Sequence, residues 1–203
     1  MKSKSTSKRD SSKRKIFLDC GAWKGNSTIH FIENWDYAHL YKIYAFECNP
    51  DMLEKMQKNI NNKGYQDKVK FIQKALWDLD GVRTLKVGAG PYSESSSLLQ
   101  HKRVLRHRRA DDMRVGCINF SKWLKDNIRE DDYVICKMNI EGAEYRVLNK
   151  MIGDGTIDLI DELHMSWHWK KVKYSEEKHN HLVAQILKRK TSLITWSLEH
   201  GQP

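Results

Sequence analysis

From residue 16 onward the chain alternates short β-prone apolar runs with segments whose apolar positions recur at helical spacing. Ile16, Phe17 and Leu18 form the first run, which ends at Asp19 and a glycine-containing turn, and residues 26–34 read as the helix that follows. Tyr41 to Phe46 is the second run. Pro50 then opens a helical stretch, because proline suits the first helical position and Met52, Leu53, Met56 and Ile60 recur at helix spacing. Val69, Phe71 and Ile72 predict a third strand, with Ala75, Leu76 and Trp77 at its exit, and residues 82–87 alternate as an antiparallel hairpin strand would. Further along, 120–128 reads as a helix, 133–140 as a buried strand, 143–151 as a helix and 157–163 as a strand. A late helix at 181–188 precedes a final strand at 192–198. Alternating β and α units of this size imply an α/β fold, with a parallel sheet covered by helices on both faces.

A length of 203 residues suits one domain with an appended tail, since one domain takes up about 150 residues. Residues 1–15 are rich in serine and lysine and have no apolar residue between Met1 and the end of the segment, so a disordered basic tail or an interdomain linker of a longer chain is expected there, with the domain at 16–203. The tail also changes the meaning of the charge. Of the formal net charge of +10, the tail carries +6, so the rest of the chain is only mildly basic and its charge does not by itself indicate a nucleic-acid partner. Cys20, Cys48, Cys117 and Cys136 are scattered without a C-x-x-C pair, which argues against a disulfide scaffold or a zinc site, and no metal is expected. No apolar run approaches the ~20 residues of a membrane span and no signal-peptide core is visible. A cytoplasmic protein without a transmembrane segment is the expectation.

In an open parallel sheet the ligand sits at the carboxyl ends of the strands, so the residues just after each strand carry the chemistry. After the first strand stands Asp19-Cys-Gly-Ala-Trp-Lys-Gly25, in which Gly21 and Gly25 permit tight turning and close approach of a ligand. Its G-x-x-x-G spacing is neither the G-x-G-x-x-G of a dinucleotide site nor a phosphate loop. After the second strand stands Glu47, where an acid characteristically accepts both hydroxyls of a ribose. An acid without a phosphate-binding loop suits an adenosine that carries no phosphates, of which S-adenosylmethionine is one. Taken singly, the glycines read equally well as a turn and Glu47 as a helix-cap neighbour; together, in order and spacing, they are a much more specific sign of a nucleoside site.

Six blocks carry a resemblance. Asp19-Cys-Gly-Ala-Trp-Lys-Gly25, Phe46-Glu-Cys-Asn-Pro50, Ala75-Leu-Trp-Asp78, Ser95-Ser-Ser-Leu-Leu99, Lys137-Met-Asn-Ile-Glu-Gly-Ala-Glu144 and Glu162-Leu-His164 resemble, in order, the signature blocks of the FkbM family of S-adenosylmethionine-dependent methyltransferases. The chain departs from the family pattern at Trp23, Cys48 and Asn139, the last of which replaces an aspartate.

The resemblance implies a Rossmann-like class I methyltransferase fold with a mostly parallel central sheet and an antiparallel C-terminal strand. It also assigns roles. Asp19, Gly21 and Gly25 would hold the methionine end of S-adenosylmethionine, Glu47 the ribose, and Ala75, Leu76, Trp77 and Asp78 would flank the adenine, with Ala22 and Asn139 also among the cofactor-binding residues. His164 and Glu141 would face the methyl and the acceptor, His164 as the proton acceptor because an imidazole titrates near pH 6.5. Its alternative is a structural histidine, and that of Glu141 and Glu162 is a cation site. Ser96, Ser97, Glu162, Trp167 and His168 would contact substrate, and Arg106 belongs to a basic insertion at 101–114 that reads either as a solvated loop or as a lid over an anionic acceptor. The Trp167 to Trp169 segment reads either as a sugar-stacking surface or as packing on the sheet.

The implied function is O-methylation of a carbohydrate hydroxyl, such as that of a deoxyhexose in a glycan or glycolipid. Two alternatives stay open: an RNA ribose 2′-O-methyltransferase, motivated by the basic segments but lacking an aspartate at Asn139, and a non-catalytic cofactor-binding module.

Overall fold

The computed structural model describes residues 13–88, 96–99 and 112–196. Nine strands and five helices are described. β1 (Lys15–Cys20), β2 (Tyr41–Phe46), β3 (Val69–Ile72), β7 (Tyr133–Met138), β8 (Glu162–Met165) and β9 (Ser192–Thr195) build the central sheet in the order β3-β2-β1-β7-β8-β9. Every pairing in it is parallel. A smaller sheet, in the order β4-β6-β5, joins β4 (Ala75–Trp77), β5 (Gly81–Leu85) and β6 (Met113–Asn119), with β5 antiparallel to β6.

Strand alternation explains the two cores. On β1, Ile16, Leu18 and Cys20 face one side, where they meet α3 (Phe120–Asn127), α4 (Glu144–Gly153) and α5 (Glu176–Leu187) through Leu124, Leu148 and Ile186. Phe17 faces the other and stacks on Phe31 of α1 (Asn26–Asn34), with ring centroids 3.8 Å apart, beside Met56 and Ile60 of α2 (Pro50–Asn62). Both faces are therefore covered, as the unbroken apolar runs of a parallel sheet require.

Local chemistry sets the helix starts. The Asn49 side chain accepts the N–H of Asp51 ahead of Pro50, and Asn119 caps α3 by accepting the N–H of Lys122. Ser175 caps α5 in the same way, with Glu176 and Glu177 in the first turn, so this helix begins five residues before its predicted start.

Several expectations are corrected. The C-terminal strand is not antiparallel: β9 pairs parallel with β8, because the segment containing α5 crosses over and returns the chain to the same end of the sheet, where an antiparallel neighbour would follow from a hairpin. Residues 197–198 of its predicted span lie outside the described residues. The predicted strand at 157–163 begins as a 3-10 turn at Thr156–Leu159, entered through Gly155 at φ 74°, and only Glu162–Met165 is extended. Within the predicted strand 82–87, residues 82–85 do run antiparallel, but to β6, whose Met113 and Arg114 fall at the end of the expected insertion, while Lys86 bridges to Ser97. Of the tail, residues 1–12 lie outside the described residues. Arg14 belongs to the fold, giving Asp132 a two-pronged bond through Nε and Nη2 at 2.8 and 2.5 Å. Among the described residues no helix is long and apolar enough to cross a membrane.

Candidate functional site

A cavity of about 400 Å³ opens at the carboxyl ends of β1, β2 and β7, within the range of about 300–1,000 Å³ usual for small-molecule sites. Gly21, Glu47, Ala75, Asn139, Glu141 and His168 are among its lining residues.

The turn after β1 forms its floor. Gly21 has φ 81°, and a Cβ placed there would stand 2.1 Å from the backbone oxygen of Asn139, so the chain ends of β1 and β7 approach closely only because residue 21 is glycine. Gly21→Ala is expected to cost about 2–4 kcal/mol by chemical denaturation, the range of a clash with backbone added to left-handed strain. Gly64→Ala, at φ 73° with open space around the new Cβ, should cost only about 1–2 kcal/mol.

Asp19 is wholly buried and does not line the cavity. Its Oδ2 accepts the hydroxyls of Ser27 and Thr28, both at 2.6 Å, and its Oδ1 accepts Nζ of Lys137 at 2.9 Å. Lys137 also donates to the Gly21 carbonyl at 2.8 Å and does line the cavity. Asp19 thus fastens the first turn of α1 to β7. Gly25, at φ 84°, faces Met56 and Ile60 of α2 rather than the cavity, and its role is close helix packing.

Glu47 stands at the exit of β2. Its two oxygens accept the N–H of Asn49 at 2.8 Å and of Trp23 at 3.0 Å, which fixes the carboxylate at the cavity wall. Burial pushes its pKa up to about 7, outweighing the two N–H donors and the positive charge of Lys137. Trp23 reaches its place through a left-handed backbone, φ 51°. Glu141, also on the wall, has φ 57°, so two of the four described non-glycine residues with positive φ line this cavity. Such strain persists where surrounding structure enforces it.

The remaining expectations separate. Ala22, Ala75, Leu76 and Ser96 line the cavity. Trp77 and Asp78 do not: the guanidinium groups of Arg83 and Arg146 stand 4.7 and 5.0 Å from the centroid of the Trp77 ring, and Asp78 is ion-paired with Arg146. Ser97 is buried and donates to the Glu141 carbonyl at 2.8 Å, tying the Ser-Ser-Leu segment to the β7 exit. Arg106 lies outside the described residues. Trp167 packs against Tyr145 and His179 instead of presenting a stacking face to the cavity.

His164 is fully buried, with its ring edge-on to Trp35 and Trp196 and its Nε2 3.1 Å from Glu162. It does not line the cavity, whereas His168 does. Glu162 opens β8 at the end away from the cavity, where it accepts the Tyr133 hydroxyl. His168 lines the cavity, with Nε2 3.2 Å from Glu141. Lys137, Glu144, Ser166 and Lys171 carry no individual role in the sequence reading, and Lys137, Ser166 and Lys171 share the wall with His168.

This sheet order, with a glycine turn after the first strand and an acid after the second, defines a Rossmann-like domain of the class I methyltransferase type. A family model described as the methyltransferase FkbM domain matches residues 19–193, and the chain belongs to that family. Among solved structures it is similar to a methyltransferase FkbM from Methylobacillus flagellatus KT, 14% identical, with a TM-score of 0.48 over 87% of this chain and 37% of that one. The chain therefore spans little more than a third of that protein's length. No curated protein matches it in sequence.

Proposed function

We propose that this domain binds S-adenosylmethionine and methylates a hydroxyl oxygen of a carbohydrate acceptor, such as a deoxyhexose in a glycan or glycolipid. The observation that carries the cofactor reading is Glu47, a carboxylate oriented by two backbone N–H groups at the wall of a nucleoside-sized cavity with no phosphate loop beside it. The donor set fits on two further counts. Asn139 Oδ1 is buried on the cavity side with no hydrogen-bond partner among the described residues, an acceptor suited to an ammonium or hydroxyl donor. Lys137 supplies a cation at the same strand exits, suited to a carboxylate.

When bound, the cofactor supplies an electrophilic methyl carbon on a sulfonium, open to in-line displacement by oxygen. The chain's own work is placement: Glu47 holds a ribose, Lys137 and Asn139 hold an amino-acid end, and Ala75, Leu76 and Leu98 enclose an adenine. The acidic end, with Glu141 and His168, supports a hydroxyl acceptor, because an alcohol must lose its proton to be methylated. Support for a carbohydrate comes from the family resemblance alone.

Incubation of the chain with S-adenosylmethionine and a glycan panel, read by mass spectrometry, tests the reading. A mass gain of one methylene on a sugar is expected; methylation confined to RNA, or of nothing offered, would overturn it. Cofactor affinity should also depend on pH. The ionised Glu47 accepts both ribose hydroxyls, so affinity should rise as pH climbs through about 7 and be roughly tenfold weaker one unit below that value. Calorimetric titration of Glu47→Gln should lose this step.

A further inference from the structure

At the acceptor end of the cavity three ionisable side chains stand in file. Glu144, the first residue of α4, is fully buried; its Oε2 accepts the N–H of Gly142 at 2.7 Å, and its Oε1 accepts the N–H of His168 at 3.0 Å. The same Oε1 lies 2.8 Å from His168 Nδ1, and His168 Nε2 lies 3.2 Å from Glu141 Oε1. The backbone is built around this file. Glu141 has φ 57° and Gly142 φ 104°, and a Cβ at Gly142 would stand 2.3 Å from Cγ1 of Val172 and 2.8 Å from Cδ1 of Leu99.

We propose that Glu141 and His168 act as one proton-accepting pair for the acceptor hydroxyl, with Glu144 as the positioning residue that fixes its tautomer. The proposal rests on the methyl-transfer reading of the cavity. Both Glu144 oxygens accept backbone N–H groups, so the ring nitrogen facing Oε1 is the one that donates. His168 therefore carries its hydrogen on Nδ1 and turns the Nε2 lone pair toward Glu141. Without an extra proton, that lone pair and the Glu141 oxygen oppose each other; with one, they share a hydrogen bond. The acceptor O–H bond breaks, its proton lodges between Nε2 and Oε1, and its electron pair forms the new O–CH3 bond. The methyl group's former bonding pair stays on sulfur. Other charged groups face the pair: Lys137 of β7, Lys171 beyond β8 and Glu47 at the exit of β2 line the same cavity.

Nitrogen-15 imidazole spectra of the full chain test the pair without any substrate, with His168→Gln assigning the resonance. The expected spectrum of the neutral ring shows its hydrogen on Nδ1, facing Glu144. Glu144→Gln replaces an acceptor-only carboxylate with an amide that can also donate, so the tautomer with its hydrogen on Nε2 should appear in that variant. A neutral wild-type ring protonated on Nε2, or a tautomer unchanged in Glu144→Gln, would overturn the proposal. On an acceptor that the wild-type chain methylates, Glu141→Gln and His168→Gln should each lower kcat by about 10² to 10⁴-fold, while S-adenosylmethionine affinity stays within about threefold. Retention of most of the rate by both variants would also overturn it, as would activity abolished by EDTA and restored by Mg²⁺, which would make Glu141 a metal ligand. If the wild-type chain binds no cofactor, the cavity reading fails and the spectra still decide the pair.

Discussion

Lys137→Met is expected to destabilise the fold by about 3–5 kcal/mol in urea denaturation, because it leaves the Asp19 carboxylate buried without its cation. The Lys137 and Asp19 side chains are 4% and 0% exposed, so water cannot take over the lost partner. Ser27 and Thr28 still donate to Asp19, but hydroxyls only soften the charge. The double variant Asp19→Asn/Lys137→Met removes both charges and should recover much of the loss, giving a coupling of the kind that a double-mutant cycle isolates. A single-variant cost below about 1 kcal/mol would show that the pair does not anchor the first turn of α1 to β7.

Glu47→Ala is expected to weaken S-adenosylmethionine binding by at least tenfold while the fold persists. Two ribose hydroxyls donating to one carboxylate are worth about 1.5–3 kcal/mol each, and alanine keeps neither bond. The fold should survive because the side chain's bonds are to backbone N–H groups, those of Trp23 and Asn49 among them, which water entering the emptied cavity can meet. Thermal unfolding checks the fold and calorimetry checks the affinity; unchanged affinity would remove Glu47 from the site.

The sequence carried most of the central sheet, because each parallel strand is an apolar run ending at a turn. Gly21 and Glu47 were legible as strand-exit residues and Asn139 through the family resemblance, its predicted strand running on to residue 140 where the observed one ends at Met138, and all three line the cavity. His164 was not, and parity explains why. On β8, Leu163 and Met165 point into one core, so Glu162 and His164 point to the opposite face, where Trp35 and Trp196 cover His164. The motif spelling E-x-H hides that alternation, while His168, past the strand end, is free of it. Asp19 misled for a related reason. Its partners Ser27 and Thr28 stand in the first turn of α1, two and three residues after Gly25, and their hydroxyls hold it as a buried acceptor. The Glu144 side chain left no local signal, since its partner His168 is 24 residues away and only the fold joins them.

The claim that this cavity is a cofactor site is tested most directly by calorimetric titration of the unmodified full chain with S-adenosylmethionine at pH 8, where Glu47 is ionised. A saturable single-site isotherm is expected, displaced by S-adenosylhomocysteine, which keeps the adenosine and amino-acid ends and lacks only the methyl group. Absence of heat and of any shift in Tm at millimolar cofactor would contradict it.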